Sequence, residues 1–90
     1  MKTWLITGCS SGIGEGIAKA VLKKGDQAVV TARNPQKLSD LVKEYPKTAY
    51  AVALDVTDKE SITNAFKEAL AKFGTIDVLI NNAGYGYRSS

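Results

Sequence analysis

Apolar positions in this chain follow two rhythms, and the switches between them mark out its elements. Residues 2–7 hold the run Trp4-Leu5-Ile6 and stop at Gly8, which reads as a short buried strand. From Ile13 the spacing turns helical: Ile13, Ile17, Ala18, Val21 and Leu22 are expected to face inward, while Glu15, Lys19 and Lys23 take the opposite side. Gly25 follows as a natural C-cap. Residues 27–32 contain Ala-Val-Val-Thr-Ala, a compact β-branched run suited to a strand covered on both faces. Asn34-Pro35 then offers an N-cap with proline at the first helical position. The second helix carries Leu38, Leu41, Val42 and Tyr45 on one stripe and stops before Pro46.

Residues 49–54 form a third strand that ends at Asp55. Thr57-Asp58-Lys59-Glu60 has the spacing of a capping box, in which the Thr57 hydroxyl caps the Glu60 N–H and the Glu60 carboxylate reaches back. The helix it opens is predicted to point Ile62, Phe66, Ala69, Leu70 and Phe73 inward and to end at Gly74. Residues 76–80 form a fourth strand that runs into Asn81-Asn82-Ala83-Gly84, and the tail from Tyr85 reads as loop. The order β-α-β-α-β-α-β with short connections predicts an α/β protein. Right-handed helical crossovers between parallel strands give a doubly wound parallel sheet, here partial, with strand order 3-2-1-4. That order puts the first strand-to-helix turn at the switch point, where ligands bind beyond the carboxyl ends of the strands.

Composition narrows the function classes. At 90 residues the chain is one domain at most, and 44% hydrophobic with 23% charged content fits a globular chain. The net charge of +3 is spread over helix faces among acidic residues, which argues against a nucleic-acid partner. Cys9 alone cannot form an internal disulfide, and without histidine no Cys/His metal cluster is expected. No segment approaches the ~20 apolar residues of a membrane span. Gly8 and the serines interrupt the first apolar run too early for a signal peptide, so a reducing cytoplasm is the expected location.

The candidate chemistry lies between the first strand and first helix, in Thr7-Gly8-Cys9-Ser10-Ser11-Gly12-Ile13-Gly14. Glycine removes the Cβ that would hold a ligand away. The following helix offers unpaired N–H groups and the positive end of its dipole, so the turn is built for phosphate and is read as holding the pyrophosphate of a dinucleotide. A tight strand-helix connection can use glycine for packing alone, and context is what favours the binding reading. The Gly-Lys-Ser/Thr ending of a triphosphate-binding loop is missing, which disfavours kinase chemistry.

Thr7-Gly8-x-x-x-Gly12-Ile13-Gly14 together with Asn81-Asn82-Ala83-Gly84, and Asp55-Val56 after the third strand, resembles the short-chain dehydrogenases/reductases. The resemblance spans the whole chain. It implies that residues 1–90 are the N-terminal part of a single NAD(P)-binding Rossmann domain. It further implies that Gly8, Gly12, Ile13 and Gly14 line the pyrophosphate, that Asp55 and Val56 meet the adenine, and that Asn82, Ala83 and Gly84 run beside a ribose. Asn81 in such proteins mainly ties neighbouring strands together. Cys9 is read as spacing, and Trp4 and Phe66 as core.

Cofactor choice has its own physical argument. A site for NAD carries a carboxylate about 20 residues past the glycines, to take the ribose 2′-OH. Thr31-Ala32-Arg33-Asn34 has none; Arg33 can instead pair with a 2′-phosphate through its planar fork, and Ser10 and Ser11 can add hydroxyl donors. NADP is therefore expected over NAD. An arginine that only solvates a loop is the plainer alternative.

In proteins of this resemblance a serine, a tyrosine and a lysine on later elements perform acid-base chemistry on a carbonyl or alcohol. No such set occurs here: Tyr85 has Ser89 four positions on, where the family has lysine. No catalytic residue is therefore expected within the chain. An apolar fourth strand left as an edge is an aggregation risk. The chain is thus read as the first part of a longer oxidoreductase acting on a small carbonyl/alcohol substrate, inactive by itself and homo-oligomeric when full length. A non-catalytic dinucleotide-binding module, serving as sensor or scaffold, is the alternative; an epimerase or dehydratase of the same superfamily fits the glycine spacing less well.

Overall fold

Among the residues described by the computed structural model, 1–10 and 12–82, four parallel strands form one sheet. They are β1 (Thr3–Ile6), β2 (Gln27–Ala32), β3 (Ala49–Ala53) and β4 (Val78–Ile80), and they pair in the order β3-β2-β1-β4. Leu5 pairs with Val29 on one side and with Leu79 on the other, so β1 and β2 are interior strands and β4 is an edge. The fold is the expected α/β doubly wound sheet.

Strand alternation sorts the core into two layers. On one face Ile6, Ala28, Val30 and Ala49 pack with Ala18, Val21 and Leu22 of α1 (Gly12–Lys23) and with Leu41 of α2 (Ser39–Glu44). On the other, Leu5, Val29, Val52 and Leu54 pack with Ala65 and Ala69 of α3 (Lys59–Phe73). Leu5 and Val29 are fully buried, each stabilising the fold by about 1.5–3 kcal/mol relative to exposure.

The helix ends follow local chemistry. At the end of α1, Gly25 N–H donates to the Leu22 carbonyl and Asp26 N–H to that of Val21, a Schellman closure. Asn34 caps a 3-10 turn over Pro35–Leu38, its Oδ1 accepting from Gln36 N at 3.2 Å, and α2 grows from that turn. Gly74, at φ 81°, closes α3.

Three expectations are corrected. Ile13 is 74% exposed, because the buried stripe of α1 is Gly14, Ala18, Val21 and Leu22, and Ile13 stands one residue, about 100°, off it. Leu70 is 47% exposed for the same reason: the small residues Ala65 and Ala69 set the inward face of α3. Thr57 does not cap α3. Asp58 does, its Oδ1 accepting from Glu60 N at 3.0 Å, while Thr57 turns its hydroxyl to Asp55 Oδ1 at 2.6 Å. Trp4 is half-buried, and its Nε1 donates to Asp26 Oδ2 at 3.0 Å.

Candidate functional site

The carboxyl ends of the four strands meet at the turn that follows β1. Cys9 N–H donates to the Thr31 carbonyl at 2.8 Å, and the Thr31 hydroxyl donates back to the Ile6 carbonyl at 2.9 Å, fastening the turn to β2. The Cys9 thiol is buried and donates to the same Ile6 carbonyl at 3.2 Å. Burial pushes its pKa up to about 11 despite the Thr31 hydrogen bond, so it is a neutral packing group. Gly8 and Gly12 adopt φ 65° and 64°, a backbone that side chains with a Cβ rarely take.

On the β4 side the turn is braced by Thr7 and Asn82. The Thr7 hydroxyl accepts the Asn82 N–H at 2.7 Å and lies 3.3 Å from Asn81 Oδ1, while Asn82 Nδ2 donates to the Gly8 carbonyl at 3.4 Å. Gly14 is buried beneath this brace, where an added Cβ would run into the Gly8 carbonyl and the Asn82 amide. The first turn of α1 therefore packs closely against the turn that follows β1, and the first N–H groups of a helix have no partner within it.

On the β2 and β3 side the turn overlooks a cleft of about 510 Å³. Its walls bring together five of the sequence-predicted residues, Gly8, Ser10, Arg33, Asp55 and Val56. Gly12, Ile13 and Gly14 stand in the first turn of α1, and Asn82 lies across the turn at the end of β4. Ser11, Ala83 and Gly84 lie outside the described residues, as does the tail from Tyr85.

Arg33 follows Ala32, the last residue of β2, and is exposed. Asp55 accepts from both the Thr57 hydroxyl and, at 3.0 Å, the Thr57 N–H, while its own N–H donates to Ser61 Oγ at 2.8 Å. The two Thr57 bonds, the hydroxyl first, hold the Asp55 carboxyl below its usual range, and the Arg33 guanidinium adds to the effect. Sequence reasoning missed Lys37 on the same wall. Its signal was the four-residue step from Arg33 within the turn that Asn34-Pro35 announces. Among the described residues no cluster of side chains could hold a metal ion, and no helix is long and apolar enough to cross a membrane.

Comparison with known proteins agrees with this geometry. A family profile described as short chain dehydrogenase matches residues 2–90. The oxidoreductase BOA17 of Botryotinia fuckeliana is 51% identical over 85 residues, covering 93% of this chain and 31% of the relative. A crystal structure of a short-chain dehydrogenase from Streptomyces avermitilis superposes with a TM-score of 0.89 at 50% identity, over 93% of this chain and 32% of that one. A 3-ketoacyl-(acyl-carrier-protein) reductase from Brucella melitensis, complexed with NADH, gives 0.88 at 39% identity, over 99% of this chain and 37% of that one. The chain thus spans about a third of the length of these proteins.

Proposed function

The chain belongs to the short-chain dehydrogenase family, and on that footing we propose that it supplies the nucleotide-holding part of an NADP-dependent oxidoreductase acting on a small carbonyl or alcohol substrate. The observation that carries this reading is the cleft itself, where Gly8, Arg33 and Asp55 share one wall system at the carboxyl ends of β1, β2 and β3. Gly14 supports it: with no Cβ to meet the Gly8 carbonyl and the Asn82 amide, the start of α1 packs directly against the turn, and the unpaired amides of a helix start favour an anion there.

In this reading Gly8, Gly12, Ile13 and Gly14 hold the pyrophosphate. The exposure of Ile13 suits a residue that covers ligand rather than core. Arg33 pairs with the 2′-phosphate, with hydroxyl donors from Ser10 and Ser11. Asp55 and Val56 receive the adenine edge, and Asn82, Ala83 and Gly84 the ribose. Asn82 does so while bracing Gly8. When bound, the nicotinamide supplies or takes up the hydride; the chain's own residues bind and orient.

The acid-base serine, tyrosine and lysine are assigned to sequence beyond residue 90, so residues 1–90 alone bind without turnover. The full-length enzyme is read as a cytoplasmic homo-oligomer. The similar reductase from Brucella melitensis is complexed with NADH, so both nucleotides enter the test. The test is to follow NADPH absorbance with the full-length enzyme against a panel of small ketones and aldehydes. Substrate-dependent oxidation of NADPH supports the reading; tight nucleotide binding with no oxidation of NADPH or NADH across the panel overturns the enzymatic part in favour of a binding module.

A further inference from the structure

We propose that Lys37 is a specificity-determining residue of this site, the second cation for the 2′-phosphate and the one that makes the cleft net positive. The proposal rests on the reading of the cleft as the adenosine side of a dinucleotide site. Three charged side chains stand on its walls: Arg33, Lys37 and Asp55. Arg33 and Asp55 carry opposite charges, and the guanidinium adds, behind the two Thr57 hydrogen bonds, to what lowers the Asp55 carboxyl. With those two alone the walls are formally neutral, yet a phosphomonoester brings about −1.5 to −2 charge at neutral pH. A nucleotide with a free 2′-OH makes no such demand. Lys37 is the group that breaks the balance.

The local fold holds Lys37 in place for this. Asn34 Oδ1 caps the 3-10 turn at Gln36 N, Pro35 fixes its first backbone angle, and Lys37 N–H donates to the Asn34 carbonyl at 3.2 Å. The next residue, Leu38, is buried and anchors the turn to the core. Lys37 is thereby kept on the wall it shares with Arg33, and among the described residues no carboxylate pairs with its ammonium. A lysine acts as a point charge where the arginine acts as a fork, so the two can divide one phosphate between them.

The test is calorimetric titration of NADP⁺ and of NAD⁺ into wild-type protein, Lys37→Gln and Lys37→Arg. Lys37→Gln is expected to weaken NADP⁺ about tenfold, the worth of one charge-assisted hydrogen bond, while NAD⁺ binding stays unchanged. Lys37→Arg is expected to keep the wild-type preference, and added salt to narrow the gap between wild type and Lys37→Gln. Equal NADP⁺ affinity in wild type and Lys37→Gln, or a parallel loss of both nucleotides, overturns the role of Lys37 and leaves the cleft reading standing. A wild-type protein that binds neither nucleotide overturns the cleft reading itself.

Discussion

The Thr7 hydroxyl accepts the Asn82 backbone N–H at 2.7 Å, joining the end of β1 to the end of β4 across 75 residues of sequence. This bond fixes the floor on which the glycine turn rests. Thr7 is nearly buried, so its removal leaves the Asn82 N–H without its partner. Thr7→Val is expected to cost about 1–3 kcal/mol in urea denaturation, and Thr7→Ser to recover most of it. A Thr7→Val protein as stable as wild type would show that the brace is incidental.

Gly14 and Gly16 stand in the same helix with opposite surroundings. A Cβ at Gly14 would meet the Gly8 carbonyl and the Asn82 amide, whereas one at Gly16 would meet nothing within 4 Å. Gly14→Ala is expected to destabilise by about 1–3 kcal/mol and to weaken nucleotide binding. Gly16→Ala is expected to stabilise by about 0.4–1 kcal/mol with binding intact. Thermal melts with and without nucleotide check both; matching behaviour of the two variants would refute the assignment of Gly14 to the cradle.

Cys9 is buried, and with a thiol pKa near 11 it holds little thiolate at neutral pH. A disulfide exchange reagent is expected to leave it unmodified in the native protein and to modify it rapidly in urea. Fast native-state reaction would contradict the packing described.

Asp26 sits at the opposite end of the sheet, where its carboxylate accepts from Lys2 N at 3.1 Å and from Trp4 Nε1, with Lys24 Nζ at 3.5 Å. These partners, the Lys2 N–H first, hold its pKa below the ordinary 3.8. A carboxyl lowered in the folded state stabilises above the unfolded value and loses that contribution as pH falls through the folded one. The stability gap between wild type and Asp26→Asn is therefore expected to be full at neutral pH and to shrink as pH drops below 3.8. Denaturation curves over that range test it, and a gap independent of pH would count against the carboxylate.

Sequence periodicity revealed the strands and helices, because each keeps one clean rhythm between glycine or proline boundaries, and the sheet order followed from right-handed parallel crossovers and doubly wound topology. It misled where two polar residues competed for one duty. Thr57 and Asp58 both suit an N-cap, and Asp55 decided between them by capturing the Thr57 hydroxyl. It misled again at Ile13 and Leu70, where small residues, Gly14 and Ala69, set the buried face. For the cleft, the glycine turn and Asp55 were legible as motif positions, and Arg33 from the missing carboxylate after the second strand. Lys37 was overlooked, because its four-residue step from Arg33 gains meaning only once residues 35–38 are seen to form a 3-10 turn.

Arg33 carries the claim that this cleft selects a 2′-phosphate, and titration of NADP⁺ and NAD⁺ into wild-type and Arg33→Ala protein tests it most directly. NADP⁺ is expected to bind the wild type more tightly than NAD⁺, and Arg33→Ala to lose roughly tenfold or more in NADP⁺ affinity with NAD⁺ unaffected. Equal NADP⁺ affinity in the two proteins would contradict the assignment.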